Sequence, residues 1–257
     1  MLKIVVMAQK GGVGKTTTAA MLAAALAEQG NHVLCIDLNE QGDLTDTLAA
    51  APGSGGSLEL FAGTPAAELI RNTATKNIDI IAGAENLATL EKTIKPVAKG
   101  RAFTLRAALK QIQRKYQFCI IDAPGAFNIA SVNALTAASS VIIPAQADYY
   151  SLKNINTLIK NIRYVKQELN PRLIVDGILL TRYNGRRNVS KTAADTLEAA
   201  REALGTRLFK TRIRENVKIA EAPAHRETVL TYAPASKGAE DYLAFIDEYM
   251  KILRERK

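Results

Sequence analysis

Ala8-Gln9-Lys10-Gly11-Gly12-Val13-Gly14-Lys15-Thr16-Thr17 follows an apolar run ending at Met7 and precedes an alanine-rich helical pattern. A phosphate-cradling loop needs small residues, so that successive backbone N–H groups can curl around a phosphate chain. It also needs a lysine for the outer phosphates and a hydroxyl for Mg²⁺. Gly11, Gly12, Gly14, Lys15 and Thr16 supply those parts, with Val13 and Thr17 completing the loop. The ordinary P-loop pattern wants a further glycine at position 9, where Gln9 stands, and Lys10 adds a second lysine.

Working outward, residues 2–7 read as a buried strand and Thr16 to Glu28 as a helix packing Ala19, Leu22, Ala23 and Leu26 on a sheet. Gly30 ends it, and the strand Val33 to Ile36 delivers Asp37. Strand, glycine loop, helix, strand is a βαβ unit with a right-handed crossover, which places both strand ends on one edge, so the loop and Asp37 converge. Gln117 to Asp122 is a second apolar strand ending in a carboxylate, the Walker B arrangement. Further strands are expected at Ile78 to Ala82, Val141 to Pro144 and Leu173 to Thr181. Helices are expected at Leu58 to Leu69, Leu87 to Lys95, Phe103 to Lys115, Ile155 to Gln167, Val189 to Leu204 and Gly238 to Leu253. The alternation predicts a doubly wound α/β fold, a mostly parallel sheet with helices on both faces, of the P-loop NTPase class. At 257 residues and 47% hydrophobic, it is expected to form a single domain over 1–257.

No apolar run approaches the roughly 18 residues of a membrane span, and the N-terminus carries no leader pattern, so a cytoplasmic protein is expected. Cys35 and Cys119 each sit inside an apolar strand and read as buried thiols; His32 and His225 have no metal-ligand partner at useful spacing. Residues 1–150 hold 13 lysines and arginines against 12 acids, whereas residues 151–257 hold 21 against 13, so most of the net charge of +9 is C-terminal. The segment Arg182 to Arg226 concentrates it: Arg182, Arg186, Arg187, Lys191, Lys210, Arg212, Arg214 and Lys218 are its candidate DNA-contacting residues. Without aromatic interleaving, contact with phosphate backbone is favoured over base stacking, and a generally solvated basic surface is the alternative.

Lys10-Gly11-Gly12-Val13-Gly14-Lys15-Thr16-Thr17 resembles the deviant Walker A box of the ParA/MinD group. Nearly the whole chain is similar to the small ParA-type DNA-partitioning ATPases. The resemblance is carried by Ile36-Asp37-Leu38 with Gln41-Gly42 and Leu44-Thr45, Ile120-Ile121-Asp122-Ala123-Pro124, Val132-Asn133-Ala134-Leu135, Val141-Ile142-Ile143-Pro144, Gly177-Ile178-Leu179-Leu180-Thr181, Glu221-Ala222-Pro223 with His225, and Ser236-Lys237-Gly238-Ala239. With the loop starting at residue 10, the resemblance is to the form without an N-terminal helix-turn-helix.

The resemblance implies a nucleotide switch. Monomers bind ATP and Mg²⁺, form a homodimer that buries two ATP molecules, and bind DNA without sequence preference at the nucleoid. A ParB-type centromere-binding partner then stimulates hydrolysis. It further implies that Lys15 holds the β/γ-phosphates, that Thr16 and Asp122 serve the metal with Asp37 ordering its waters, and that Lys10 acts across the dimer. Asn216 falls where the family meets the adenine edge.

One departure touches the chemistry. The second carboxylate of the family's Asp-x-Asp loop, which orients the attacking water, falls at position 39, where this chain has Asn39. An amide cannot accept a proton from water, so slow turnover is expected, and a nucleotide-locked binding protein is one rival reading. A MinD-like membrane-associated regulator is another, and it would need the apolar stripe of the last helix for attachment. Tyr149-Tyr150 after Asp148 marks either a dimer contact or a loop-to-helix packing pair.

Overall fold

The computed structural model describes residues 1–87, 99–148 and 150–256. The helix expected from Leu87 to Lys95 falls on 88–95, outside the described residues, as does Tyr149 of the tyrosine pair.

Among the described residues, eight strands form one sheet: β1 (Leu2–Val6), β2 (Val33–Asp37), β3 (Ile70–Asn72), β4 (Ile78–Ile81), β5 (Phe118–Asp122), β6 (Ser140–Gln146), β7 (Ile174–Tyr183) and β8 (Leu208–Arg214). Their order is β3-β4-β2-β5-β1-β6-β7-β8, and every pairing is parallel except the antiparallel β3–β4. Strands paired this way need both faces covered, and their sequences read as continuous apolar runs for that reason. Val5 in β1 and Met7 just after it join a core shared with the helices Thr104–Ile112, Ile129–Ala137 and Ser151–Glu168. Ile4 and Val6 point to the other core, against Lys15–Glu28 and Lys237–Glu255. In Lys15–Glu28 the run Thr18 to Ala27 is wholly buried, and its alanines let the helix lie close between the sheet and the last helix.

The stretch expected as one helix from Leu58 to Leu69 is two, Ser57–Ala62 and Ala66–Leu69. Gly63 closes the first at φ 107° and Pro65 precedes the second, so the backbone turns between them. The helix Ile129–Ala137 had been visible only as a motif fragment. It starts at an Asn128 cap, whose side chain accepts from Ser131 N at 3.0 Å.

The exposed edge β8 is covered from the last helix: Glu248 accepts from the backbone N–H groups of Lys210 and Thr211, each at 2.8 Å, and Asp241 from that of Arg214 at 2.9 Å. That helix spends its apolar stripe on the interior, with Tyr242, Phe245, Ile246 and Tyr249 at most 1% exposed. Among the described residues, no helix is long and apolar enough to cross a membrane.

Candidate nucleotide and cation site

The chemistry collects at the C-terminal edge of the central strands, where β1 runs into the glycine loop. Gly12 (φ 70°) and Gly14 (φ 85°) take left-handed conformations that L side chains rarely adopt. Gly14 is the N-cap of Lys15–Glu28 and supplies no side-chain cap, so the first N–H groups of a 14-residue helix stay available to an anion. Val13 is buried and anchors the loop; its carbonyl accepts from Thr181 Oγ1 at 2.8 Å. Gly125 lies so close to the carbonyls of Ala8 and Gln9 that a Cβ there would sit 3.0 Å from the Gln9 oxygen.

β2 and β5 are paired so that Asp37 and Asp122 are direct neighbours, and both are fully buried. Thr16 Oγ1 donates to Asp122 Oδ2 at 2.7 Å. Burial, and then the adjacent Asp37, push the Asp122 carboxyl from 3.8 up to about 7, against the Thr16 hydroxyl, the Lys15 charge and the Asn39 amide. Burial also raises Asp37, opposed by the N–H groups of Asn39 and Thr45 and by the Thr45 hydroxyl. Asn39 faces Asp122 closely enough to favour its anion but does not bond it. Among the described residues, Asn39 Nδ2 and Asp122 Oδ1 are buried without a hydrogen-bond partner.

A hydroxyl and two carboxylates, one of them with the orphaned oxygen Asp122 Oδ1, fit Mg²⁺, which takes oxygen ligands. The Thr16 hydroxyl can give its proton to Asp122 and still offer lone pairs to a cation. Among the described residues no cluster of three or more His, Cys, Asp or Glu could hold a metal alone, so phosphate oxygens would complete the shell.

Beside the loop opens a cavity of about 590 Å³, within the range of small-molecule sites. Its walls include Gly12, Gly14, Lys15, Thr16, Thr17 and Asn216, and also Thr181, Val217, Ile219, Pro223 and Tyr242. The sequence reading had singled out none of these last five as site residues, because they come from far along the chain. The Asn216 side chain caps Val217–Glu221, with Oδ1 accepting from Lys218 N at 2.8 Å. Its NH₂ group is the end left for a ligand. Among the described residues no hydrogen bond or ion pair holds the Lys15 ammonium. Lys10 instead is engaged: Nζ donates to Gln146 Oε1 at 3.2 Å and pairs with Asp148. Burial raises Asp148, but hydrogen bonds from Lys10 and Ser151 outweigh it and hold the carboxyl below its ordinary value.

The basic segment does not act as one free patch. Arg182, itself at φ 48°, and Arg187 both approach Glu215, at 3.5 Å and 3.4 Å. Arg212 lies over the Tyr183 ring at 4.6 Å, and Lys218 pairs with Glu221 at 2.8 Å. Arg214 is clamped by Asp241, Nε to Oδ2 at 2.8 Å, and by Glu240 at 3.3 Å. Arg182 and Arg214 also line the cavity. Among the described residues, the exposed side chains of Arg186, Lys191 and Lys210 enter no ion pair.

A family profile described as an AAA domain matches residues 1–175. The chain is 37% identical to the chromosome-partitioning ATPase Soj of Thermus thermophilus, covering 96% of this chain and 94% of that protein. It is 36% identical to the chromosome partitioning protein ParA of Myxococcus xanthus, covering 95% of this chain and 86% of that one. A crystal structure from Mycobacterium smegmatis, described as cobyrinic acid a,c-diamide synthase with bound ATP analog and magnesium, superposes with a TM-score of 0.83 at 28% identity. That match covers 100% of this chain and 98% of the other. The two relatives found by sequence are the more similar, and both are partitioning proteins.

Proposed function

The chain belongs to the ParA/Soj family of chromosome-partitioning ATPases, and from that premise we propose that residues 1–257 act as one ATP- and Mg²⁺-dependent switch. The switch forms a face-to-face homodimer on ATP, binds DNA nonspecifically at the nucleoid in the cytoplasm, and is reset by hydrolysis that a ParB-type partner stimulates. The observation that carries this reading is one open cavity lined by the glycine loop, Lys15 and Thr16, with the Thr16 hydroxyl bonded to Asp122, the direct neighbour of Asp37.

In this reading the helix N-terminus and Lys15 bind the phosphates. Asn216 presents its NH₂ to the base, and Val217, Ile219 and Pro223 wall it. Thr16 and Asp122 hold the cation, which when bound neutralises phosphate charge. Asp37 keeps the cation's surroundings anionic. Lys10 reaches the partner's nucleotide, for which it has to leave Asp148. Arg186, Lys191 and Lys210 are the cations freest to meet a DNA backbone, with Arg182, Arg187, Arg212 and Lys218 able to join once their local partners yield. Arg214 serves the fold through Asp241.

Co-sedimentation of the protein with DNA or with anionic vesicles, with and without ATP, tests the reading. ATP-dependent recovery with DNA is expected. Recovery with vesicles alone would favour a MinD-like role, against which the buried stripe of the last helix already argues. Asn39 favours a second reading, in which the ATP dimer is long-lived because the water-orienting carboxylate is an amide.

A further inference from the structure

Thr45 lies in the short helix Asp43–Thr47, eight residues after Asp37, and its hydroxyl joins three segments of the cation site. Thr45 Oγ1 donates to Asp37 Oδ2 at 2.8 Å, and the Thr45 N–H donates to the same oxygen at 3.0 Å. The other oxygen, Oδ1, takes the N–H of Asn39 at 3.0 Å. Having spent its single proton on Asp37, the Thr45 hydroxyl accepts from the N–H of Gly83, just beyond β4, at 2.9 Å. Gly83 in turn is pressed onto the same turn. A Cβ there would lie 2.7 Å from the Asn39 carbonyl oxygen and 3.0 Å from Asp37 Cγ. Three donors therefore hold the Asp37 carboxylate in one orientation, and the backbone of residue 39 is caught between Asp37 and Gly83.

Resting on the ATPase reading above, we propose that Thr45 is a positioning residue of the cation site. Its hydroxyl sets the orientation of Asp37 toward Asp122 and the place of residue 39, and ties both to the exit of β4. Groups that orient a metal's surroundings in this way typically change metal affinity about 10–100-fold when removed. Valine keeps the shape and the N–H of Thr45 but loses both hydroxyl bonds, whereas serine keeps them.

The test uses the full chain and a fluorescent ATP analogue, first in EDTA and then under Mg²⁺ titration. Thr45→Val should bind the analogue in EDTA within about twofold of wild type, yet need about 10-fold more Mg²⁺ for its metal-dependent signal. Thr45→Ser should titrate close to wild type. A Thr45→Val curve superimposable on wild type would overturn the role. So would equal loss of analogue binding in EDTA, or a serine variant as impaired as valine, since these point to the loop's fold or the methyl group. Failure of wild type itself to bind the analogue would instead overturn the ATPase reading on which the role stands.

Discussion

Replacing Asp122 by asparagine should make the protein free of nucleotide and Mg²⁺ more stable near neutral pH, although it removes a residue of the cation site. The carboxyl is fully buried beside Asp37 and is pushed from 3.8 to about 7. The native state therefore holds its proton more tightly than the unfolded chain does. The stability this gives is fully present below about pH 4 and is lost as pH rises through about 7. At about 1.4 kcal/mol per tenfold in proton affinity, the loss amounts to at most about 4 kcal/mol. Asparagine is nearly isosteric and can still accept from Thr16, but its new NH₂ must find a partner beside Asp37. A missing buried hydrogen bond offsets about 1–3 kcal/mol of the gain. The net gain is then about 1–3 kcal/mol, or several degrees in Tm at roughly 2–4 °C per kcal/mol. Thermal melts of both proteins in EDTA from about pH 4 to about pH 8 check this. At the acid end the variant should melt below wild type by that offset, and as pH rises its curve should cross and climb above the wild-type curve. A variant that melts below wild type at about pH 8, or a difference that does not shift toward the variant as pH rises, would refute the reasoning. With ATP and Mg²⁺ present the order should reverse, because only wild type offers the cation the Asp122 carboxylate beside Thr16.

Five further outcomes are expected. Lys15→Ala should lose binding of a labelled ATP analogue in equilibrium titrations, because it removes the cation facing the phosphates. Lys10→Ala should keep monomeric ATP binding while light scattering shows weaker ATP-dependent dimerisation. Asn39→Asp should raise the single-turnover hydrolysis rate by about 10²–10⁴-fold without tightening ATP binding; equal rates in quench-flow would remove position 39 from the water-orienting role. Changing Arg186, Lys191 and Lys210 together to alanine should weaken ATP-dependent DNA binding equally on unrelated sequences and flatten its salt dependence. Arg214→Ala should instead lower Tm, since it frees the buried Asp241.

What the amino-acid order determines by itself here is local. The glycine loop is legible because positive-φ glycines, a lysine and a hydroxyl must be contiguous to wrap phosphate. Asp37 and Asp122 are legible because each ends an apolar strand, and βαβ handedness brings such ends to one edge. The change to Asn39 can be read for the same reason, as it lies two residues from Asp37. Tertiary structure decided whatever depends on partners distant in sequence. Thr181 and Tyr242 reach the glycine loop only through sheet order and the packing of the last helix. The basic segment shows an excess of positive charge along the chain, yet Asp241, more than 25 residues after Arg214, makes that arginine a structural cation, while Arg186 and Lys191 remain unpaired among the described residues. Thr45 enters the sequence reading only in the Leu44-Thr45 piece of the resemblance; its role depends on Gly83, 38 residues away, which β2–β4 pairing sets against it. Charge, hydroxyls and glycines can be counted along a chain, but which of them meet is a property of the folded sheet.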